Sequence, residues 1–134
     1  MGTDRKIGEL IQTADWKSEK HVPVIECDDE LKKDEVTCVK VGLGKEIAHP
    51  NTTEHHIRWI DVYFHPEGEK FPYQIGHFEF TAHGESAEGA NESTVYTHHE
   101  VTASFKTGKS GVLHAVALCN IHGLWESSKA VKVQ

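Results

Sequence analysis

The sequence predicts an all-β protein: an antiparallel sandwich of about seven short strands, preceded by a short N-terminal helical segment. Three observations carry that prediction. Apolar and polar residues alternate with a period of two in one segment after another. Turn-forming stretches such as "HPEGEKFP", "HGESAEGANES" and "KTGKSG" separate those segments. No strand pattern is followed by the helical periodicity that a parallel βαβ unit needs.

The elements follow in chain order. In residues 3–14, "TDRKIGELIQTA", Ile7, Leu10, Ile11 and Ala14 fall at helical spacing, with Thr3 or Asp4 placed to cap the helix. In "DWKSEKHVPVIEC", Pro23 excludes a helix interior, and Val22, Val24 and Ile25 suit an edge strand or extended loop. "EVTCVKVGL" is rich in β-branched residues and ends in two glycines around Leu43. "HIRWIDVYF", residues 56–64, sets Ile60, Val62 and Phe64 on one face and Ile57, Trp59 and Tyr63 on the other, the pattern of a central strand covered on both sides. In "QIGHFEFTAHG", Phe78, Phe80 and Ala82 point inward while His77, Glu79 and Thr81 point outward. "STVYTHHEVTASFKT" alternates at Val101, Ala103 and Phe105, and "GVLHAVALC" and "AVKVQ" supply two further strands. No internal repeat or low-complexity tract interrupts the chain, so residues 1–134 are expected to form one domain.

Composition narrows the function. Of 134 residues, 37% are hydrophobic and 26% charged, which suits a globular protein with a proper core. No segment approaches the ~20 apolar residues of a membrane span. The opening "MGTDRKIGEL" lacks the apolar region of a signal peptide and has Lys6 where myristoylation wants Ser or Thr, so the expected compartment is the cytoplasm. A formal charge of -7, with scattered acidic residues, argues against nucleic acid as a partner. Three cysteines do not make a disulfide framework; Cys27 and Cys38 lie in strand-like segments and read as small buried hydrophobes, with a bridge between them left open.

Eleven histidines are the anomaly. Histidine is the commonest metal ligand, so the question is which of them converge. "ALCNIHGLW" ends a strand pattern with Cys119, His122 and Gly123. That spacing lets a sulfur and an imidazole meet one ion, and the glycine permits a tight turn whose amides face the sulfur. A buried cysteine beside a loop histidine is an equal reading of the motif alone. In "GKEIAHPNTTEHHIRWI", Pro50 keeps His49 out of a helix. Asn51 and Glu54 resemble a capping box that would start one helical turn and aim His49 and His55 at a common point. Taken singly, those two histidines read first as solvated loop residues. His55 and His56 point to opposite faces if a strand starts there, so at most one of them is a ligand. "EKHVPVIE" adds His21, two positions after Glu19. One thiolate and up to four imidazoles exceed the four ligands zinc prefers. Blue copper wants an axial methionine, and Met1 is the only methionine. Four imidazoles and a thiolate suit iron with one position free. A zinc or copper protein, and a binding module with incidental histidines, remain the rival readings.

"SEKHVPVIE", "GKEIAHPNTTEHHIRWIDVYF", "FEFTAHGES" and "CNIHGLWES" together resemble the superoxide reductases, in particular the one-iron neelaredoxin class. The resemblance runs from about Asp15 to about Ser128. The Cys-rich N-terminal iron domain of the longer desulfoferrodoxins has no counterpart here, because the chain has no CxxC and no adjacent Cys pair. The resemblance implies an immunoglobulin-like sandwich with one iron per chain. His21, His49, His55 and His122 would be equatorial ligands and Cys119 the axial one. Glu19 would be the sixth ligand of the oxidised iron, leaving on reduction, and Lys20 a mobile cation over the open position. It further implies one-electron reduction of superoxide to hydrogen peroxide without release of dioxygen. Rubredoxin or a similar small iron protein would be the electron donor, and the assembly would be a homotetramer. His56, His65, His77, His83, His98, His99 and His114 match no ligand position.

Overall fold

The computed structural model describes residues 4–134. After a single turn of helix, α1 (Ile7–Leu10), come β1 (Val24–Glu26), β2 (Glu30–Leu31), β3 (Thr37–Gly42), β4 (Ile57–Pro66), β5 (Tyr73–Glu79), β6 (Glu100–Phe105), β7 (Gly111–Cys119) and β8 (Gly123–Val133). Two sheets face each other, one in the order β1-β3-β6 and the other β2-β8-β7-β4-β5. All ladders are antiparallel except the short β2–β8 pair, where Glu30 and Leu31 run parallel to Lys132 and Val133.

The core lies between the sheets. Val39 and Val41 of β3 join Ile60 and Val62 of β4 and Leu113 and Ala115 of β7 in one cluster, each fully buried. Each large aliphatic side chain removed from water contributes about 1.5–3 kcal/mol, so these inward faces hold the sandwich shut. β7 is central, with β4 on one side and β8 on the other. It delivers Cys119 to the end of the sandwich where three loops meet, through a ladder that closes on the pairs Ile57↔Cys119 and Cys119↔Gly123.

Several expectations are corrected. The helix is the short segment expected, a single turn, but it stops before Ile11 and Ala14, and none of its residues is buried; Ile7 is 64% and Leu10 47% exposed. Lys6 occupies the N-cap without a side-chain hydrogen bond, so Asp4 does not cap, and Thr3 lies outside the described residues. The helix stops because the chain turns to pair with β8: Gln12 N–H donates to Leu124 O (3.0 Å) and Glu126 N–H donates to Gln12 O (2.8 Å). β4 is covered on one face only, with Trp59 and Tyr63 half-buried on the outer side. A register shift between Ile57 and Trp59 turns Ile57 into the core with Ile60, Val62 and Phe64. The last strand begins at Gly123 rather than at Ala130 and forms a hairpin with β7. Cys38 is exposed, not buried, because it shares the outer face of β3 with Lys40 while Val39 and Val41 point inward; Cys27 is half-buried. All three cysteines are free thiols.

Candidate metal centre

Three segments deliver five donor side chains to one end of the sandwich. The first is the loop before β1. Asp15 opens it, its carboxylate accepting from Lys17 N–H (3.0 Å) and its carbonyl from Ser18 and Glu19 N–H (3.0 Å each). The turn presents Glu19, Lys20 and His21 in succession. Ser127 Oγ of β8 donates to Pro23 O (2.6 Å), which ties this loop to the sheet. Trp125 stacks on the His21 ring, with centroids 5.0 Å apart and planes at 17°.

The second segment is the stretch before β4. Gly44 has φ +74, a left-handed conformation that lets the chain fold back to His49. The expected helical turn at Asn51–Glu54 does not form. The Thr52 hydroxyl, not Asn51, accepts His55 N–H (3.0 Å), while Asn51 Nδ2 donates to Thr97 O (2.8 Å) and the Glu54 carboxylate accepts from Asn91 Nδ2 (2.9 Å). A Thr hydroxyl two atoms from the backbone closes this turn without helical dihedrals. His55 points into the cluster. His56 points away and lies flat on His83, with ring centroids 3.4 Å apart, so the neighbours do split between two faces.

The β7–β8 turn supplies the remaining two. Cys119 ends β7, the three residues Asn120, Ile121 and His122 make the turn, and Gly123 at φ +80 starts β8. His122 N–H points at Cys119 Sγ at 3.4 Å, as amides of such a turn can.

The geometry selects which nitrogen of each ring faces inward. Glu19 Oε1 accepts from His21 Nδ1 (2.6 Å) and from His21 N–H (3.1 Å), which leaves His21 Nε2 for the cluster. That Nε2 lies 3.1 Å from His122 Nδ1, which in turn lies 3.7 Å from Cys119 Sγ. His49 Nδ1 donates to Pro50 O (2.6 Å), which leaves Nε2 with its lone pair. Donor atoms of His21, His55, Cys119 and His122 all lie within 4.8 Å of one another. The His49 ring sits 4.9 Å from those of both His21 and His55.

Chemistry explains why such a cluster needs an ion. His49 Nε2 and His55 Nε2 are buried and have no hydrogen-bond partner, although buried polar atoms rarely go unpaired. Burial pushes the His49 imidazole down to about 4, with its hydrogen bond to Pro50 opposing and the neighbouring His21 and His55 adding to the effect. Burial likewise lowers His55, helped by His122, His21 and the Lys20 ammonium. Neutral rings with inward lone pairs are what a cation requires. The hydrogen bond from His21 lowers the Glu19 carboxyl, against some desolvation, so Glu19 stands as a carboxylate beside the cluster. Lys20 is half-buried between Glu19 and His21. The donor set, four imidazole nitrogens and one sulfur, fits a single iron.

Two groups around the cluster carry no signal in the sequence pattern. Trp125 covers His21 and donates from Nε1 to His122 O (3.1 Å), where Gln12 Nε2 also donates (3.1 Å). Asn120 bridges the β7–β8 turn to the His55 loop. Both stand in "CNIHGLW", but a tryptophan reads there as core and an asparagine as a turn-former.

An antiparallel sandwich with a histidine-cysteine cluster at one end defines a metal-binding β-sandwich protein. The sequence pattern of the desulfoferrodoxin family matches residues 13–128, and the chain belongs to that family. It is 64% identical to neelaredoxin of Megalodesulfovibrio gigas, over 96% of this chain and 99% of that one. It is 60% identical to superoxide reductase of Pyrococcus furiosus, over 90% of this chain and 95% of that one. Among solved structures, superoxide reductase (neelaredoxin) of Archaeoglobus fulgidus in the reduced form superposes with a TM-score of 0.86 at 56% identity, covering 92% of this chain and 98% of that one.

Proposed function

We propose that the chain is a superoxide reductase that converts superoxide to hydrogen peroxide at one iron held by His21, His49, His55, His122 and Cys119. The pair of buried, unpartnered nitrogens, His49 Nε2 and His55 Nε2, carries this reading, because a cation bound between the rings would give both a partner. The hydrogen bonds at His21 Nδ1 and His49 Nδ1 and the short distances among the inward atoms support Nε2 of His21, His49 and His55, Nδ1 of His122 and Sγ of Cys119 as the donors.

Iron bound there supplies one electron per superoxide, and with two protons the products balance as one hydrogen peroxide and no dioxygen. The protein's own groups do the rest. Lys20 attracts the anion locally, against a chain whose formal charge is -7, and orders the water that delivers protons. Glu19 fixes the His21 ring from behind through Nδ1, the usual partnership of a carboxylate with a ligand histidine. A rotation of its side chain, which is 31% exposed, would free that carboxylate to act as a sixth ligand of oxidised iron. His122 N–H tunes the Cys119 sulfur from 3.4 Å.

The whole chain acts as one iron-binding domain. Rubredoxin or a similar small iron protein returns the electron through a weak, transient encounter. The subunits form a homotetramer, a reading supported by the free edge of β5 and the exposed Phe71 and Tyr73 beside it. The cytoplasm is the proposed compartment; the three free thiols and the absence, among the described residues, of any helix long and apolar enough to cross a membrane accord with it.

The experiment is a product balance. The ferrous protein, mixed anaerobically with superoxide, should yield one hydrogen peroxide per iron oxidised and no dioxygen. Dioxygen formed in equal amount to peroxide would make it a dismutase and overturn the reading.

A further inference from the structure

His55 and the Cys119–His122 turn belong to distant parts of the chain, and one side chain binds them together. The β4–β7 ladder ends at Ile57↔Cys119. Beyond it, Asn120 N–H donates to His56 O (3.1 Å). His56 N–H donates to Asn120 Oδ1 (2.9 Å), and Asn120 Nδ2 donates to Glu54 O (2.9 Å). The side-chain amide therefore offers one acceptor and one donor to a neighbouring backbone, as the peptide of another strand residue would. The two residues it grips, Glu54 and His56, flank His55 on both sides.

We propose that Asn120 is a positioning residue of the iron centre: its amide sets the backbone of His55 in register with Cys119 and His122, so that ring and sulfur reach one ion. The proposal rests on the ligand assignment given above. Asparagine suits this role because it alone combines a planar donor and acceptor on so short a stem. Aspartate keeps the acceptor for His56 N–H but sets a carboxylate oxygen against Glu54 O. Alanine loses both bonds. The far side of the loop is held independently, by Thr52 O accepting from His56 Nδ1 (2.9 Å) and by the His56–His83 stack. Loss of the Asn120 amide should thus loosen His55 towards the ion while the fold survives.

The test compares the iron-loaded parent with Asn120→Ala and Asn120→Asp. Iron release to excess chelator, the ferric optical and electron paramagnetic resonance spectra, and unfolding of the iron-free proteins are read together. Iron release should quicken about tenfold or more in Asn120→Ala, the range seen when groups supporting a ligand are removed. The ferric spectra should shift while the sulfur charge-transfer band persists, and Asn120→Asp should fall between. A merely structural role would lower the unfolding midpoint and leave the spectra of the surviving fold unmoved. Unchanged release and spectra in Asn120→Ala overturn the proposal; should that variant fail to fold, the same result in Asn120→Asp does so. A parent that binds no stoichiometric iron overturns the ligand assignment and this proposal with it, whereas an iron-replete parent with unmoved variants overturns this proposal alone.

Discussion

Gly44→Ala tests how the His49 loop is built. Gly44 has φ +74, and a Cβ added there would lie 2.5 Å from His49 N, with Ala48 C and Cα at 3.3 Å. Left-handed backbone costs an L-residue about 1–2 kcal/mol. The clash is with backbone, which no rotamer change can relieve, and overpacking of that kind adds about 1–3 kcal/mol. The total is about 2–5 kcal/mol. Gly123→Ala is the internal control: φ is +80, but nothing lies within 4 Å of the new Cβ, so only the conformational cost of about 1–2 kcal/mol applies. Urea unfolding of the two iron-free variants isolates the clash as their difference. At a denaturant slope of about 1–3 kcal/mol/M, Gly44→Ala should unfold roughly 1 M earlier than Gly123→Ala. Because the displaced atom is the amide of a proposed ligand, Gly44→Ala should also release iron faster than the parent. Equal midpoints for the two variants would refute the close approach of Gly44 to His49.

Lys20→Ala should keep its iron, react more slowly with superoxide and show a shallower dependence on salt, since the local attraction is lost; stopped-flow mixing at several ionic strengths reads this, and an unchanged rate at low salt would remove Lys20 from the mechanism. Glu19→Ala should remain active while its ferric spectrum changes, and identical ferric spectra would show that this carboxylate never reaches the iron. Burial holds His49 and His99 at about 4 against 6.5 for an exposed histidine. The unfolded chain therefore takes up protons first as pH falls, so the stability tied to these rings is complete above about 6.5 and drains away toward 4. Each ring accounts for on the order of 3 kcal/mol over that window. The denaturation midpoint of the iron-free protein should fall steeply between pH 7 and pH 4.5, and a flat profile would contradict their burial.

Where one face of a strand meets the core, alternation in the sequence locates it: Val101, Ala103 and Phe105 read correctly because Thr102 and Ser104 between them are polar and exposed. The start of β8 is hidden because Glu126, Ser127 and Ser128 carry no apolar alternation, and only pairing with β7 makes that stretch a strand. The helix stops short of Ile11 and Ala14 for the opposite reason. Ile7 and Leu10 have the right spacing but no surface to cover, while the backbone of Gln12 finds partners on β8. The five donors are visible in the sequence as residue types at loop ends, and the family resemblance groups them. Their supports are not visible, because Asn120, Thr52 and Trp125 act through backbone atoms and ring faces that exist only after the loops have met.

Metal content with an optical spectrum tests the central claim most directly. The account predicts one iron per chain and a visible sulfur-to-iron charge-transfer band that vanishes in Cys119→Ser. A colourless protein without stoichiometric iron, or a band that persists in Cys119→Ser, would contradict it.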